Sequence, residues 1–316
     1  VKVTWYIKNL NLNPLNKLRN AIRFRSYNYD SFNTSTWNRC LQLIPYLKKM
    51  KIKCRVDDGS NLNTDIAVLI RWQDESAFKL VERLKDRGVK TVLDLCVNYF
   101  DETGIFPGGY GVTAKQVEEV QNISVIVNAI IAGSKYIRQR AKNHNPNTTY
   151  LPESIDSNHF KYVKQKNDFS HKIPRAIWSG QSIKSEEIGE LFPMLKDRNI
   201  PLTIISNKQP DMPGSYRYIP WSYYTFPSNI VKGDFCISPR RTDNTYDLGH
   251  SHFKIGVFMA QGVPSIAAPL PSYKEVIEKT EGGRICESNY QWEKTLDEII
   301  VDPQILWQWS QAAREG

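Results

Sequence analysis

The chain has 316 residues, of which 41% are apolar and 24% are charged, with 17 glycines and 17 prolines. These values are typical of folded proteins and exclude disordered, collagen-like and coiled-coil classes. The length suggests about two domains of roughly 150 residues each. No apolar run approaches the roughly 18 residues of a membrane-spanning helix. The first residues alternate as in a strand, so we expect no targeting leader there.

The net charge of +9 is unevenly distributed. Residues 1–155 carry 23 basic and 14 acidic side chains, whereas residues 156–316 carry 19 of each. A basic half of this kind indicates an anionic partner, which could be nucleic acid, an acidic membrane surface or a phosphorylated substrate. A solubilising surface without a specific partner is the alternative.

The five cysteines are scattered along the chain and form no CxxC pair. No histidine lies at metal-ligand spacing from any of them, so the pattern does not predict a zinc site. We expect them to be small buried side chains in a reducing compartment.

In chain order, the first half predicts strands that alternate with amphipathic helices. The predicted strands cover 1–7, 52–56, 65–70 and 90–95, with another near Tyr150, and an apolar run covers 124–131. The predicted helices cover 36–50 and 77–88, with others around Val117 and from Ser134. Gly88 suits the C-terminal end of its helix. This alternation favours a parallel sheet covered by helices on both faces.

The second half predicts another series of the same kind. The strands cover 175–179, 202–206, 234–238, 263–267 and 284–286, and the helices cover 185–198, 253–261, 273–279, 292–300 and 303–313. Between the two series, residues 152–171 are polar and weakly periodic. We therefore predict an α/β protein with two tandem Rossmann-like, doubly wound domains, 1–154 and 155–316, facing a central cleft. Packing of the last helix back on the first domain is an option that the sequence leaves open.

The segment 250–275 carries the strongest chemical signal. A polar loop leads into a helix near Lys254, and a proline-containing loop leads into another helix with Ser272 as its predicted N-cap. Helix N-termini favour phosphate because their N–H groups are free and the helix dipole is positive there. The segment indicates an anion site, with ordinary strand–loop–helix packing as the alternative.

Several patches resemble the retaining, family-4-like group of GT-B glycosyltransferases. In the second half these are Lys254–Ile266, the Pro-Leu-Pro-Ser-Tyr loop at 269–273, and Ile177–Gly180 with Lys184. The segment 151–156 resembles the linker of that group. The runs 65–71 and 92–101 resemble strands of its bacterial surface-polysaccharide members. The patches follow the order of the family and span most of the chain.

The chain departs from the family pattern at three positions. Gly249 and Val257 stand where the family commonly has two glutamates, and Gln181 stands where it commonly has arginine. A divergent subgroup also lacks the glutamates and carries the same Pro-x-Pro-Ser-Tyr loop. The resemblance therefore implies a divergent member.

The resemblance implies that the second domain holds a nucleotide-sugar donor. Cations aimed at the departing diphosphate would supply much of the catalysis, and we assign this role to Lys254 and Arg240. Further donor-binding candidates are Gly180, Lys184, Arg241, His252, Ser272 and Tyr273. The alternatives are a solvated loop for the two arginines, a surface position for His252 and simple loop packing for Tyr273.

The first domain would hold the acceptor. Asp94 ends a buried strand, and its carboxylate either orients an acceptor hydroxyl as a catalytic group or caps the next loop. Ser35 and Arg39 either border the phosphates or acceptor, or act as a helix N-cap and a surface arginine. The glycine-rich stretch 106–111 has no strand leading directly into it, which favours a mobile acceptor-side loop over a phosphate loop.

The sequence and the resemblance together predict a nucleotide-sugar-dependent glycosyltransferase with a glycan or lipid-linked acceptor and no cofactor. We expect metal independence because no Asp-x-Asp triplet occurs. The sequence contains neither a Gly-x-Ser-x-Gly elbow nor a Walker loop, which excludes the α/β-hydrolase class and the P-loop class. We expect a cytoplasmic protein, peripheral at an anionic membrane through its basic half, and no nucleic-acid partner. The alternatives are a catalytically degenerate protein that binds nucleotide or glycan, and, with less support, a nucleotide-sugar epimerase.

Overall fold

The computed structural model describes residues 1–8, 34–106, 109–170 and 173–316. Among these residues the chain forms two compact units. The first comprises 1–8, 34–106, 109–154 and 244–251, and the second comprises 155–170, 173–243 and 252–316. A return of the chain from the second unit to the first at 244–251 was not predicted.

The first unit contains a parallel sheet of six strands in the order β2-β1-β3-β4-β7-β8. The bounds of these strands are β1 Lys2–Tyr6, β2 Lys53–Asp57, β3 Ile66–Ile70, β4 Lys90–Leu95, β7 Ala129–Ala132 and β8 Thr148–Tyr150. β3 is apolar throughout, and β4 carries the apolar residues Val92, Leu93 and Leu95, because both faces of the sheet are covered. Two short strands, β5 Gly104–Ile105 and β6 Gly111–Val112, form a separate antiparallel pair.

Several helices of the first unit begin at polar caps that the sequence supplies. The bounds are α1 Thr34–Thr36, a π-helical stretch Trp37–Leu41, α2 Ile44–Lys49, α3 Glu75–Lys85, α4 Ala114–Ile126, α5 Lys135–Ala141 and α9 Thr245–Leu248. Asp74 accepts hydrogen bonds from the N–H groups of Ser76 and Ala77 at the start of α3. Thr113 and Gln116 form a capping box at the start of α4. Gly88 has φ +72° after α3, a left-handed conformation that glycine adopts readily.

The second unit contains another parallel sheet of six strands, in the order β11-β10-β9-β12-β13-β14. The bounds are β9 Ala176–Ser179, β10 Leu202–Ser206, β11 Arg217–Pro220, β12 Phe235–Ser238, β13 Ser265–Ala267 and β14 Gly283–Ile285. This is the 3-2-1-4-5-6 order of a Rossmann fold, in which the direction of winding reverses between the first and the fourth strand. That reversal lies between β9 and β12.

The helices of the second unit pack on both faces of this sheet. They are α6 Glu186–Gly189, α7 Phe192–Asp197, α8 Phe226–Ile230, α10 Phe253–Met259, α11 Pro271–Thr280, α12 Asn289–Val301 and α13 Gln304–Glu315, with 3₁₀ turns at Lys166–Phe169 and Ser182–Lys184. The last helix, α13, packs against α11 and β14 of its own unit. The prediction of two α/β domains with parallel sheets is therefore confirmed.

The helix expected over 36–50 and the one expected over 185–198 are both interrupted. Residues 37–41 are π-helical, and the second stretch divides into a 3₁₀ turn, α6 and α7. Pro193 lies in the first turn of α7. Proline is tolerated there and not in a helix interior, so the helix restarts at this point.

All five cysteines are described and all are free, and four of them are buried. In the described ranges, no helix is both long enough and apolar enough to span a membrane.

Candidate functional site

The candidate site of the second unit lies at the carboxyl ends of β9 and β12, where the strand order reverses. Ligands of open α/β sheets bind at such reversal points, since the loops that follow the two strands diverge and leave a crevice. Gly180 follows β9 directly, and Arg240 follows β12 by two residues. Lys184 ends the 3₁₀ turn after β9. The sequence-predicted residues Gly180, Lys184 and Arg240 are thus on adjacent loops.

Lys254 is on the first turn of α10 and is partly buried. Its Nζ lies 4.7 Å from the centre of the Trp178 ring, within the range of a cation–π contact. Burial and the nearby charge of Arg240 lower the pKa of Lys254 to about 7, against 10.5 for a solvated lysine. Among the described residues its ammonium forms no ion pair, so a positive charge here is held at an energetic cost.

Arg240 is buried rather than solvated, which corrects the solvated-loop alternative. Its Nη1 donates to Oε1 of Glu187 over 3.1 Å, with side chains 7% and 2% exposed. Glu187 is on α6, and Lys184 lies three residues before it at the end of the preceding 3₁₀ turn. Arg240 also donates a hydrogen bond to Tyr273. These contacts fix the guanidinium beside Lys254.

Arg241 is more exposed than its neighbour. Its Nη2 lies 3.5 Å from Oε1 of Glu186, with both side chains more than 40% exposed. An exposed pair of this kind is weak and can open when a stronger anion arrives. Arg241 therefore presents its charge to solvent beside Arg240.

Gly180 has a steric role that is evident from the structure. A Cβ at this position would lie 2.4 Å from the ring of Trp178, which is fully buried. The same ring makes the cation–π contact with Lys254. Only glycine allows the chain to pass over the indole at the end of β9.

Tyr273 and Ser272 are buried in α11, which corrects two expectations. Tyr273 is fully buried and its hydroxyl accepts a hydrogen bond from Ser238 over 3.3 Å. It therefore acts on the site through Arg240 and has no exposed surface for a ligand. Ser272 is not the N-cap, because α11 begins at Pro271 with Leu270 as its N-cap residue.

His252 lies immediately before α10 and does not cap it. Its Nδ1 is buried without a hydrogen-bond partner among the described residues. Burial lowers the pKa of His252, opposed by the carboxylate of Glu275. At neutral pH the ring is therefore uncharged, and it can offer one donor and one acceptor.

Three cationic side chains of the second unit lie close together. The charges of Arg240 and Lys184 both act to lower the pKa of Lys254, and Arg240 is paired with Glu187. Such a group of cations, held next to buried side chains, would stabilise a bound dianion or trianion. We define these three cations and Glu187 as the cation cluster.

In the first unit, Asp94 is engaged by an internal partner. The guanidinium of Arg39 contacts both carboxylate oxygens at 2.9–3.0 Å, and each side chain is only 4% exposed. Arg39 also donates to the carbonyl of Leu151 over 2.7 Å. Burial raises the pKa of Asp94 to about 6, while Arg39 opposes the shift. Arg39 is thus no surface arginine, and Asp94 neither caps a loop nor has a free oxygen for an acceptor hydroxyl.

The glycine-rich stretch 106–111 lies between β5 and β6. A short strand does lead into it, contrary to the expectation from sequence. Pro107 and Gly108 lie outside the described residues, and with them the expected mobile loop. Ser35, the other acceptor-side candidate, accepts hydrogen bonds from Arg71 over 3.4 Å and from Cys96 over 3.0 Å.

Sequence reasoning missed two carboxylates. Glu187 was not predicted as a site residue, because it is far from Arg240 in the sequence. Its position three residues after the predicted site residue Lys184 could have indicated it. Glu153 follows β8 in the first unit; burial raises its pKa, and its Oε2 lacks a hydrogen-bond partner within the described part of the chain. In the described ranges, no three or more histidine, cysteine, aspartate or glutamate side chains are grouped as metal ligands would be.

No protein-family model matches the chain, and no curated protein matches it significantly in sequence. Solved structures do match. HepE from Anabaena in complex with UDP is similar over 100% of this chain and 94% of its own, at 11% identity and a TM-score of 0.64. Sucrose-phosphate synthase from Thermosynechococcus elongatus is similar over 80% of this chain and 68% of its own, at 9% identity and a TM-score of 0.61.

WaaG, a glycosyltransferase involved in lipopolysaccharide biosynthesis, is similar over 100% of this chain and 94% of its own, at 11% identity and a TM-score of 0.57. Identities this low show the fold alone. These neighbours have the GT-B fold, and the chain shares it.

Proposed function

We propose that the protein is a glycosyltransferase that moves a sugar from a nucleotide-sugar donor to a glycan or lipid-linked acceptor. The observation that carries the proposal is the cation cluster at the reversal point of the second sheet. A nucleotide sugar presents a diphosphate that must leave with its negative charge stabilised. Lys254, Arg240 and Lys184 would stabilise that charge, at the strand-order reversal where a Rossmann-like sheet binds nucleotides.

Lys254 and Arg240 would perform the central step in this proposal. They would contact the oxygens of the diphosphate as the bond to the sugar breaks, and Lys184 and Arg241 would hold its outer oxygens. Since Glu187 and Tyr273 already orient Arg240, little reorganisation is needed when charge develops on the leaving group. The charge that a metal ion could supply would come from these side chains, which supports metal independence.

The neighbours support the donor class. HepE has been crystallised with UDP, with UDP and glucose, and with UDP-glucose. WaaG acts in lipopolysaccharide biosynthesis. Together with the motifs at 254–266 and 269–273, these likenesses support a retaining, family-4-like enzyme of surface-polysaccharide type and hexosyl transfer as further parts of the proposal.

The test is donor turnover by the Lys254→Ala variant. We expect the variant to lose about 2–4 kcal/mol of transition-state stabilisation relative to the unmodified protein, measured as nucleoside diphosphate release from a panel of nucleotide sugars. Lys294→Ala, at an exposed position on α12, is the matched control and should turn over normally. Unchanged turnover in Lys254→Ala would refute the assignment.

A binding role without catalysis is the second candidate, and a structural observation favours it. A Cβ on Gly249 would lie 2.5 Å from the Cβ of Asn98, and Val257 is only 2% exposed in the core. Neither position has room for the glutamate that the family commonly places there. Calorimetric titration with nucleoside diphosphates separates the candidates: tight binding with no turnover of any donor would establish the binder.

The basic half of the chain supports peripheral membrane attachment on the cytoplasmic side. Juxtamembrane lysines and arginines contribute about 1 kcal/mol each near an anionic leaflet, and salt weakens the attraction. We expect co-sedimentation with phosphatidylglycerol vesicles at low salt and release at high salt. Failure to bind at low salt would leave the solubilising surface as the explanation of the charge.

A further inference from the structure

A polar cavity lies in the first unit, and no residue of the cation cluster lines it. Its volume is about 600 Å³, and it lies at the carboxyl ends of β1 and β3. The first sheet has the order 2-1-3-4, so its winding reverses between these two strands. The cavity is therefore at the reversal point of the first sheet, just as the cation cluster is at that of the second.

The carboxylates that line this cavity are already engaged. Each of them has a lysine partner: Asp74 with Lys8, Glu75 with Lys79, and Glu119 with Lys115. Asp74 in addition accepts hydrogen bonds from backbone N–H groups at the start of α3. None of these carboxylates is left to balance a further cation.

Arg71 is a cation of this cavity in addition to the lysines that pair with the carboxylates. It lines the cavity directly after β3 and is half-buried, and its guanidinium donates to the hydroxyl of Tyr99 over 2.9 and 3.1 Å. Its other partner is the Ser35 hydroxyl, so within the described ranges it has no carboxylate partner. Its backbone has φ +47°, a left-handed conformation that is rare for arginine and clusters at binding sites.

Gln73 supplies a second, independent polar group in the same wall. Its side chain is 8% exposed, and its Oε1 has no hydrogen-bond partner among the described residues. A buried amide oxygen without a partner is costly, because it has lost water without gaining a replacement. A hydroxyl of a bound molecule would satisfy it.

We propose that this cavity binds a hydroxyl-rich ligand carrying one anionic group, either a carboxylate or a phosphate, with the anion on Arg71 and a hydroxyl on Gln73. The inference rests on the proposed function, in which such a ligand is the acceptor: an acidic or phosphorylated sugar unit. A neutral glycan would leave Arg71 without a counter-charge. A polyanion would meet the paired carboxylates of the cavity wall.

The experiment measures the affinities of D-glucuronic acid, glucose 6-phosphate and glucose by ligand-observed NMR titration of the full chain. We expect one or both anionic sugars to bind at least about tenfold more tightly than glucose, as a charged hydrogen-bonding partner provides. Preference for glucuronic acid identifies a carboxylate ligand, and preference for glucose 6-phosphate identifies a phosphate ligand. Equal affinity for all three sugars would overturn the proposal.

Variants locate the binding. Arg71→Gln should abolish the preference, whereas Arg87→Gln, an exposed arginine of the same unit, should keep it. Arg71→Gly suits the left-handed backbone and provides a variant that folds if Arg71→Gln does not. Lys254→Ala should also keep the preference; if it instead removes the preference, the anion binds at the cation cluster and the proposal is wrong.

A UDP titration of the same samples separates this inference from the proposed function. Binding of UDP without any preference for anionic sugars would defeat the present inference alone. A preference that depends on Arg71, without binding of UDP, would support the cavity and count against a UDP-sugar donor site.

Discussion

Lys254→Met is expected to make the protein more stable while it removes the proposed activity. The substitution keeps an unbranched side chain in place but deletes the ammonium that burial and Arg240 disfavour. A binding site that holds like charges together in the absence of its ligand is costly to fold. Removing one of the charges should therefore raise the free energy of unfolding.

The size of the gain follows from the pKa of Lys254. A value of about 7 against 10.5 in water makes the charged form less favourable by ~5 kcal/mol below pH 7. Two effects reduce this figure: part of the side chain stays in water, and the ring of Trp178 at 4.7 Å favours the cation. We therefore expect Lys254→Met to raise the free energy of unfolding by about 1–3 kcal/mol at pH 6.

The gain should shrink as the pH rises. Between pH 7 and 10.5 the native lysine is neutral while the unfolded lysine still binds a proton, so the stability of the unmodified protein increases with pH in this window. Urea unfolding followed by tryptophan fluorescence at pH 6 and pH 9 measures both effects, with Lys294→Met as the exposed control. If Lys254→Met has the same unfolding midpoint as the unmodified protein at both pH values, the charge on Lys254 carries no such cost and the reasoning is wrong.

Three further predictions concern other parts of the two units. Asp94→Asn should lower the free energy of unfolding by about 3–5 kcal/mol, because it leaves the buried guanidinium of Arg39 without a counter-charge; a urea midpoint equal to that of the unmodified protein would contradict this. Gly180→Ala should cost about 1–3 kcal/mol, since its Cβ would meet the ring of Trp178 at 2.4 Å, and an unaltered melting temperature would show that the ring can move aside. The affinity for UDP should fall by up to about tenfold per pH unit above pH 7, because binding needs the protonated form of Lys254; calorimetry in two buffers of different ionisation enthalpy should detect proton uptake, and a pH-independent affinity would exclude it.

The central strands of the first sheet were predictable from their own residues. β3 is a continuous apolar run, β4 carries Val92, Leu93 and Leu95, and Gly88 marks the turn between α3 and β4. β11 was not predicted, since it is an edge strand with exposed residues at both ends and a terminal proline. Its strand character comes from pairing with β10 rather than from its own composition.

The sequence predicted the cations of the candidate site, but not the carboxylate that pairs with one of them. Lys184, Arg240 and Lys254 stand in loops, turns or a helix start that strand–helix alternation places at one edge of the sheet. Their counter-charge, Glu187, is 53 residues from Arg240. Nothing in a single sequence reports a contact over that separation, and the partnership of Arg39 with Asp94, 55 residues apart, was hidden for the same reason.

The return of the chain at 244–251 has a consequence for how the protein is made. The amide of Asn98 donates to the carbonyl of Thr245, and the hydroxyl of Ser134, which is 1% exposed, donates to the carbonyl of Gly249. A ribosome delivers these acceptors only after it has synthesised residues 155–243. Until then the nascent first unit lacks these two hydrogen bonds, so its completion waits for most of the second unit to emerge.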